Sequence, residues 1–303
     1  MEYKGKTAVV TGAASGIGLG IVKHCIKENM NVVLVDLNLS GLQKSILDYN
    51  LPPSKVFAKA VDVSKEHEMI KLSQEVKEQF GNIHFLFNNA GISARNQLWK
   101  LTSQEWQNVI NVNLLGVVNG IRAFLPNMIA SKEKCHIINT SSAAGLFVGR
   151  AYASPYSATK SAVISLSECL FFELNDISSL INVSVFCPSA VKSNIVNKSD
   201  EKTKELGTDP VKIKMAKEAE FAKKRIASGM EPEMAAEILF EGMRKKEFLI
   251  FTDRKTKIPL QMRMEDHIFE RNPTDPLYSH DKAKNMVFRN LLPIPRFRYL
   301  KYK

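Results

Sequence analysis

The sequence predicts an α/β fold in which helices cover both faces of a doubly wound parallel sheet. The 303 residues are 45% hydrophobic and 24% charged, which suits one large globular core. Short apolar runs with little polar alternation recur along the chain, as in strands that are buried on both faces. Stretches with helical spacing of apolar residues separate these runs. Repeated β-α units of this kind build parallel sheets with right-handed crossovers.

The elements follow one another with short connections over about the first 190 residues. The candidate strands are residues 6–10, 31–36, 56–61, 83–88, 136–140 and 182–187. The candidate helices are residues 17–29, 39–49, 65–80, 103–125 and 156–175. Thr102 and Glu105 have the capping-box spacing that opens a helix. A last strand at 248–252 is predicted to close one edge of the sheet.

Two regions depart from this alternation of strands and helices. One lies within the predicted single domain of residues 1–253, and the other follows that domain. Residues 194–230 are rich in Lys and Glu and follow a strand end, where this fold class places its ligand crevice. Apolar positions in this region have helical spacing (Ile213, Ala216, Ala219 and Phe221). We therefore expect residues 194–230 to form a substrate lid. Residues 254–303 are expected to form a C-terminal extension, either packed on the domain or loosely held.

The charge distribution argues against nucleic-acid binding. The net charge is +11, but residues 254–303 hold twelve Lys and Arg against five Asp and Glu, so most of the excess lies in this extension. Basic and aromatic residues alternate in its last part, 286–303, as in segments that bind anionic membrane surfaces. Packing on the domain or on a partner subunit is the favoured alternative.

The apolar runs, the cysteines and the histidines further limit the class of protein. We find no run of about 18 apolar residues and no apolar signal-peptide region, so we expect a cytoplasmic protein without a transmembrane helix. The four cysteines are widely spaced and predict free thiols, buried at Cys135, Cys169 and Cys187, and either buried or exposed at Cys25. The six histidines lack metal-ligand spacing, so no metal site is expected.

A glycine-rich turn joins the first strand to the first helix. Its residues include Gly12, Ser15, Gly16, Ile17 and Gly18. Glycines there permit a tight turn and close approach of a pyrophosphate, which the N-terminus of the helix then binds. Such a motif alone could be only a turn, but its position between a strand and a helix favours a dinucleotide site.

Acidic and amide residues end the next three strands. Asp36 ends the second strand, where a carboxylate receives the ribose hydroxyls of NAD and repels the 2′-phosphate of NADP. No basic residue follows it, so we predict NAD as the cofactor. A capping or turn Asp is the alternative. Asp62 and Val63 are predicted to flank the adenine, and the run of Asn88, Asn89, Ala90 and Gly91 closes the fourth strand.

Tyr156 and Lys160 are spaced to share one helix face. A phenol with a pKa near ~10 is a poor base at neutral pH. A neighbouring ammonium is expected to lower that pKa toward the useful range. Without other motifs such a pair would be read as ordinary surface residues.

Together the motifs resemble those of the short-chain dehydrogenase/reductase family, a Rossmann-fold family. They are the glycine-rich turn, Asn88-Asn89-Ala90-Gly91, Asn113, Ser141-Ser142 and Tyr156-x-x-x-Lys160. They stand in the family's order and span about 195 residues. The last 50 residues match no motif of the family.

The resemblance implies a role for each matching residue. Tyr156 would be the general acid and base, Lys160 would tune it and hold the nicotinamide ribose, and Ser142 would bind the substrate oxygen. Asn113 would hold a water that links Lys160 to solvent. The segment from Pro188 through Val191 to Ser193 would contact the nicotinamide. Asn89, Ala90 and Gly91 would support the central strand and lie near the adenosine half.

Two departures from the family pattern qualify these roles. Ser142 precedes Tyr156 by one position more than in many relatives, so Ser141 is the alternative serine. Ser189 replaces the glycine that usually follows the proline at position 188.

The predicted reaction interconverts a secondary alcohol and a ketone with NAD(H). The expected substrate is mainly apolar, in a pocket lined by Ser142, Leu146, Phe147, Val148, Tyr152, Tyr156 and Ile195. The alternatives are an NADP(H)-dependent ketone reductase and a non-catalytic NAD-binding sensor or assembly protein. By the same resemblance, an apolar face of the last helix (Val163, Leu166 and Leu170) predicts a homodimer or homotetramer, unless these residues belong to the core.

Overall fold

The computed structural model describes residues 2–147, 151–177, 180–195 and 209–274. The chain divides into two compact units, Met1–Arg254 and Lys255–Lys303. The first unit contains the sheet and every predicted site residue.

A seven-stranded sheet forms the centre of the first unit, and all its neighbouring strands are parallel. The strands are β1 (Thr7–Thr11), β2 (Asn31–Asp36), β3 (Val56–Ala60), β4 (Phe85–Asn88), β5 (Cys135–Thr140), β6 (Ile181–Cys187) and β7 (Leu249–Phe251). Their order is β3-β2-β1-β4-β5-β6-β7. The winding reverses between β1 and β4, which is where doubly wound folds bind ligands. The predicted fold class is confirmed, and β7 closes the edge as expected.

Nine helices in the described part of this unit connect or cover the strands. They are α1 (Gly16–Lys27), α2 (Leu39–Asp48), α3 (Glu66–Phe80), α4 (Ser103–Ile110), α5 (Gly116–Ser131), α6 (Ala143–Leu146), α7 (Ser154–Ile177), α8 (Pro210–Ala227) and α9 (Pro232–Arg244). Within the predicted lid 194–230, the described residues include all of α8. Residues 196–208 of that lid lie outside the described residues.

The predicted helix over 103–125 is longer and less regular than expected. Thr102 and Glu105 form the predicted capping box before α4. A π-helical turn, Asn111–Leu115, then separates α4 from α5, and α5 continues through Pro126 to Ser131. The proline breaks a hydrogen bond but does not end the helix, because packing against α3 and the sheet holds the following residues.

The stretch Ser103–Ser131 is also long and apolar enough to cross a membrane, judged by length and composition alone. However, 44% of its most apolar window is buried inside the protein. Asn113 and Asn119 within it donate hydrogen bonds to backbone carbonyls of Ile92 and Val63. These features are typical of a core helix.

The core forms two apolar clusters, one on each face of the sheet. On one face, alternate strand residues such as Val10 and Leu34 pack against Ile21 of α1 and Phe240 of α9. On the other face, α3, α5 and α7 pack against the intervening strand residues, such as Val9. Full burial of each large apolar side chain contributes about 1.5–3 kcal/mol. Because successive strand residues are packed on opposite faces of the sheet, the strands are held in place on both sides. The strand ends and the residues that follow them therefore have fixed positions.

The subunit-packing face predicted on α7 is wrong. Val163 and Leu170 are 0% and 7% exposed, and Leu170 belongs to the core beneath the helix. Leu166 is half-buried. The helix presents these residues to the sheet, because they follow the spacing that lines its inner side. Homo-oligomer formation therefore stays a prediction without an assigned surface.

The cysteine predictions need one correction. Cys25, Cys135 and Cys187 are buried, but Cys169 is exposed. Cys169 comes directly before the inward-facing Leu170, so the turn of the helix carries it to the outer side.

The second unit contributes one described helix, α10 (Lys257–Ile268). Its C-terminal residues fold back on it, since Asp266 pairs with Arg271 at 3.2 Å and accepts the backbone N–H of Thr274 at 2.8 Å. The segment 286–303, to which the membrane-surface alternative applies, lies outside the described residues.

Candidate active site

The glycine-rich turn after β1 depends on glycine for both its backbone and its space. Gly12 has a φ of +69°, and a Cβ there would lie 2.9 Å from the Cα of Ala90. A Cβ at Gly18 would lie only 2.0 Å from the carbonyl oxygen of Gly12. Contacts this close exclude any side chain. The turn is thereby held against the end of β4.

The N-terminus of α1 suits an anionic ligand. Among the described residues, the Ser15 side chain makes no capping hydrogen bond, and the first turn of α1 contains no acidic residue. Its N–H groups and the positive end of the helix dipole are therefore available to a diphosphate. Gly16 has a φ of +53°, and a Cβ there would lie 3.0 Å from the Cβ of Ser193. These features fit the diphosphate of a dinucleotide, with Ile17 beside it.

Asp36 ends β2 beside the same turn. One carboxylate oxygen accepts the N–H of Ala14 at 3.1 Å, and the other accepts the N–H of Asn38 at 3.0 Å. Asp36 therefore has the turn role that the sequence left open. A carboxylate has about four lone-pair positions, so it retains acceptors for ribose hydroxyls.

The two residues predicted to flank the adenine have different surroundings. The Asp62 carboxylate accepts the N–H of Ser64 at 2.9 Å and is half-buried. The Val63 side chain is 7% exposed and belongs to the core, against Gly116 of α5. Only its backbone and a small part of its side chain can therefore face a ligand.

Asn89 and Ala90 join the ends of β1 and β4 at the winding reversal. Their N–H groups both donate to the Thr11 hydroxyl, at 2.9 and 3.0 Å. The Asn89 amide also donates to the Thr11 carbonyl at 3.0 Å. Thr11 begins the glycine-rich motif that resembles the family's, but the sequence did not predict its role as the acceptor that joins β1 to the end of β4.

Asn88 has a different role from its neighbour. Its buried amide donates to the Asn139 side chain at 2.9 Å, which in turn donates to Ser167 at 2.9 Å. This network ties β4, β5 and α7 together beneath the site. Buried polar groups need such partners, and the two consecutive asparagines therefore serve two separate functions.

Ser142 and Tyr156 meet at the N-termini of two helices. Ser142 precedes α6, and its hydroxyl accepts the N–H of Ala144 at 3.1 Å. Burial raises the pKa of Tyr156 above its ordinary value, and a hydrogen bond with Ser142 opposes this. The predicted net lowering of the Tyr156 pKa by Lys160 is therefore wrong for the protein alone, because desolvation of the phenolate dominates.

Ser141, the alternative serine, faces away from this point. It is 1% exposed, and its hydroxyl donates to the Lys160 carbonyl at 2.7 Å. It therefore fixes α7 against the end of β5. The structure brings Ser142, and not Ser141, into the cavity with Tyr156.

Lys160 is a buried ammonium held by the main chain. It is 3% exposed, and its Nζ donates to the Thr140 carbonyl at 2.7 Å. Its Nζ lies 5.8 Å from the centroid of the Tyr156 ring. Burial lowers the pKa of Lys160 to about 8. Its charge is therefore sensitive to pH near neutrality.

Asn113 lies at the centre of the π-helical turn and is fully buried. Its amide donates to the Ile92 carbonyl at 2.9 Å, and its Oδ1 accepts the Ile92 N–H at 2.8 Å. A Cβ built at Gly91 would lie 3.5 Å from both Asn113 Oδ1 and Lys160 Nζ. Asn113 and Lys160 therefore flank the same glycine. π-helical turns often occur at functional sites, where they re-aim a side chain.

A cavity of about 220 Å³ contains Ser142 and Tyr156. Other predicted residues that line it are Ile17, Phe147, Pro188, Val191, Ser193 and Ile195. Leu146 is buried and is not among the described residues around the cavity, because its side chain belongs to the interior. Tyr152 does not line the cavity in the described part of the chain either, and Val148 lies outside the described residues.

Several lining residues were not predicted. They include Ser93 and Arg95 in the segment after β4, Ala153 directly before α7, Ser157 in the first turns of α7, and Ala222, Arg225 and Ile226 of α8. Only the spacing of apolar residues in α8 could have indicated any of them. Over the described residues, no group of three or more His, Cys, Asp or Glu could hold a metal ion.

Comparison with known proteins identifies the family of this chain. The family model for short chain dehydrogenases matches residues 6–204. The chain is similar to a short chain dehydrogenase/reductase from Burkholderia phymatum, solved in complex with NAD, with 31% identity and a TM-score of 0.83. That match covers 91% of this chain and 99% of the other.

Two curated relatives extend the comparison. A diacetyl reductase, (S)-acetoin forming, from Staphylococcus epidermidis is 32% identical over 77% of this chain and 90% of its own length. A C alpha-dehydrogenase from Sphingobium is 31% identical over 80% of this chain and 78% of its own length. This chain therefore belongs to the short-chain dehydrogenase/reductase family of oxidoreductases.

Proposed function

We propose that this protein interconverts a secondary alcohol and a ketone with NAD(H), using Ser142, Tyr156, Lys160 and Asn113. The observation that carries the proposal is the cavity in which Ser142 and Tyr156 face the segment Pro188–Ser193. The diacetyl reductase relative supports a carbonyl substrate. Bound NAD(H) would supply the hydride acceptor or donor at its nicotinamide ring.

The two hydroxyl groups would bind the reacting oxygen. With its pKa raised, Tyr156 is a neutral phenol at pH 7 and can donate a proton to the oxygen of a ketone during reduction. Ser142 would donate a second hydrogen bond to the same oxygen. In the oxidation direction Tyr156 would react as the phenolate, which a charged Lys160 would stabilise, and it would become a neutral phenol on accepting the alcohol proton.

Lys160 and Asn113 would link Tyr156 to solvent. Both side chains flank Gly91, and the Lys160 ammonium is buried. A water molecule beside Asn113 Oδ1 would connect Lys160 to solvent. Protons could then pass between solvent and Tyr156 by way of this water and Lys160. Asn113 is thus proposed as a positioning residue for the proton path.

The cofactor preference is the first part to test. Asp36 is expected to bind the ribose hydroxyls of NADH and to repel the additional phosphate of NADPH. Fluorescence titration of the purified protein should show NADH binding at least about tenfold more tightly than NADPH, equivalent to ~1.4 kcal/mol.

The variants Asp36→Ala and Asp48→Ala form the matched pair for this titration. Asp36→Ala should weaken NADH binding and remove the discrimination against NADPH. Asp48 ends α2 on the exposed surface and should leave both affinities unchanged. Tighter NADPH binding by the wild type would overturn the NAD assignment and favour an NADP(H)-dependent ketone reductase.

A further inference from the structure

We propose that the substrate carries a carboxylate, which Arg95 and Arg225 bind inside the active-site cavity. This inference rests on the proposed function and names its substrate class, a hydroxy acid or the corresponding oxo acid. Both arginines line the same cavity as Ser142 and Tyr156. The substrate, which the sequence predicts to be mainly apolar, would therefore also contain an anionic group.

The two guanidinium groups come from different elements. Arg95 lies in the segment that follows β4, is half-buried, and has a buried Nη2 atom. Arg225 belongs to α8, whose residues Ala222 and Ile226 line the cavity on the same helix face. The cavity therefore receives one cation from the sheet side and one from the predicted lid.

The charged groups in the described lining of the cavity are all cationic. They are Arg95 and Arg225, because this lining contains no Asp, Glu or Lys. Guanidinium groups remain protonated at every physiological pH. Both groups would therefore attract an anion in the cavity.

The geometry of guanidinium also favours a carboxylate. Its planar fork donates two parallel N–H bonds to a carboxylate, and such charge-assisted bonds are stronger than bonds between neutral groups. Each guanidinium has five N–H donors, so the proposal is compatible with bonds that these arginines make within the chain.

The rest of the wall defines the body of the substrate. Besides the polar residues, the cavity is lined by apolar groups such as Phe147, Ile195 and Ile226. Its 220 Å³ must also admit the nicotinamide end of the cofactor, since Ile17 and Pro188 belong to the same wall. We therefore expect a short aliphatic oxo acid.

The test uses the full-length protein with saturating NADH and straight-chain methyl-ketone acids, from acetoacetate upward in chain length. Each acid is compared with its methyl ester. The wild type should show a kcat/KM for the best acid at least about tenfold above that for its ester. Arg95→Gln and Arg225→Gln should each lower kcat/KM for the acid about tenfold, mainly through KM, without changing the ester.

The matched control is Lys224→Gln. Lys224 and its neighbour Arg225 on α8 are both exposed, but Lys224 pairs with Glu220 and does not line the cavity. It should leave the acid and the ester unchanged. The dissociation constant of NADH should also be the same in all variants. Weaker NADH binding by Arg225→Gln would assign Arg225 to the cofactor and overturn its part of the proposal.

Two results separate this inference from the proposed function. Turnover of esters as efficiently as acids would overturn the carboxylate site and leave the oxidoreductase activity established. If no ketone is reduced, the proposed function fails. The carboxylate site can then still be tested by measuring whether the acid binds. In that case the acid, with NADH present, should raise Tm in the wild type but not in Arg95→Gln, whereas equal shifts by acid and ester would refute the site.

Discussion

The glycine-rich turn and the proposed catalytic group obtain their properties in opposite ways. At Gly12 and Gly18 the absence of side chains allows the backbone contacts and a close ligand. At Tyr156 and Lys160 the site consists of side chains, and burial shifts the pKa of both toward the neutral form. The turn would therefore serve folding and binding together, whereas burial of the Lys160 ammonium opposes stability and would be kept for its proposed chemical role. This difference predicts distinct responses to mutation.

The largest effect is expected for Tyr156→Phe. Loss of the phenol removes the proton donor and acceptor, so kcat/KM should fall by about 10²–10⁴-fold. The fold and NADH binding should remain, because the ring still fills its space. Steady-state kinetics and NADH titration measure the two properties.

Tyr152→Phe is the comparison for that variant. Tyr152 lies four positions earlier but does not line the described cavity, so its hydroxyl should matter little. Equal losses from the two variants would contradict the assignment of Tyr156 as the proton-transferring group.

An intermediate effect is expected for Gly12→Ala compared with Gly5→Ala. Both glycines have positive φ, +69° and +73°, so an alanine costs about 1–2 kcal/mol of backbone strain at either position. Only Gly12 has a neighbour at 2.9 Å, whereas a Cβ at Gly5 meets nothing within 4 Å. Crowding adds about 1–3 kcal/mol at Gly12 and displaces the turn.

Urea unfolding and NADH titration test this pair. Both variants should be destabilised, but only Gly12→Ala should lose NADH affinity. If Gly5→Ala weakened NADH binding as much, backbone strain would explain the effect and the close contact would not.

The smallest effect concerns the stability of Lys160→Met as a function of pH. The folded pKa of Lys160, about 8, lies below the ordinary value of 10.5. Above pH 8 the folded protein releases this proton before the unfolded chain does, so the cost of burying the cation declines as pH rises. The wild type should gain about 1 kcal/mol of unfolding free energy relative to Lys160→Met between pH 7 and pH 9.

Urea unfolding of both proteins at the two pH values measures this change. Other titrating groups are common to both proteins and cancel in the difference. A difference between the two proteins that does not vary with pH would show that Lys160 is not buried as a cation.

Local patterns in the sequence predicted most of the fold. Strand and helix positions follow from apolar periodicity, and the capping box at Thr102 needs only residues three positions apart. Helices α9 and α10 were not predicted, although the buried apolar residues of α9 (Ala235, Ala236, Leu239, Phe240 and Met243) repeat with helical spacing. The π-helical turn at Asn113 was also missed, since its register depends on packing against α7.

The sequence by itself determined the order of the β-α units and the positions of Gly12, Asp36, Tyr156 and Lys160, because each depends on a strand end or a helical repeat nearby in the chain, whereas the choice of Ser142 over Ser141 needed the structure. The tertiary structure alone decided which groups share a cavity and what burial does to them. It placed Val163 inward, raised the pKa of Tyr156, and brought Arg95 and Arg225 together across 130 positions of the chain. Burial and electrostatic fields depend on all surrounding atoms, which no local pattern specifies.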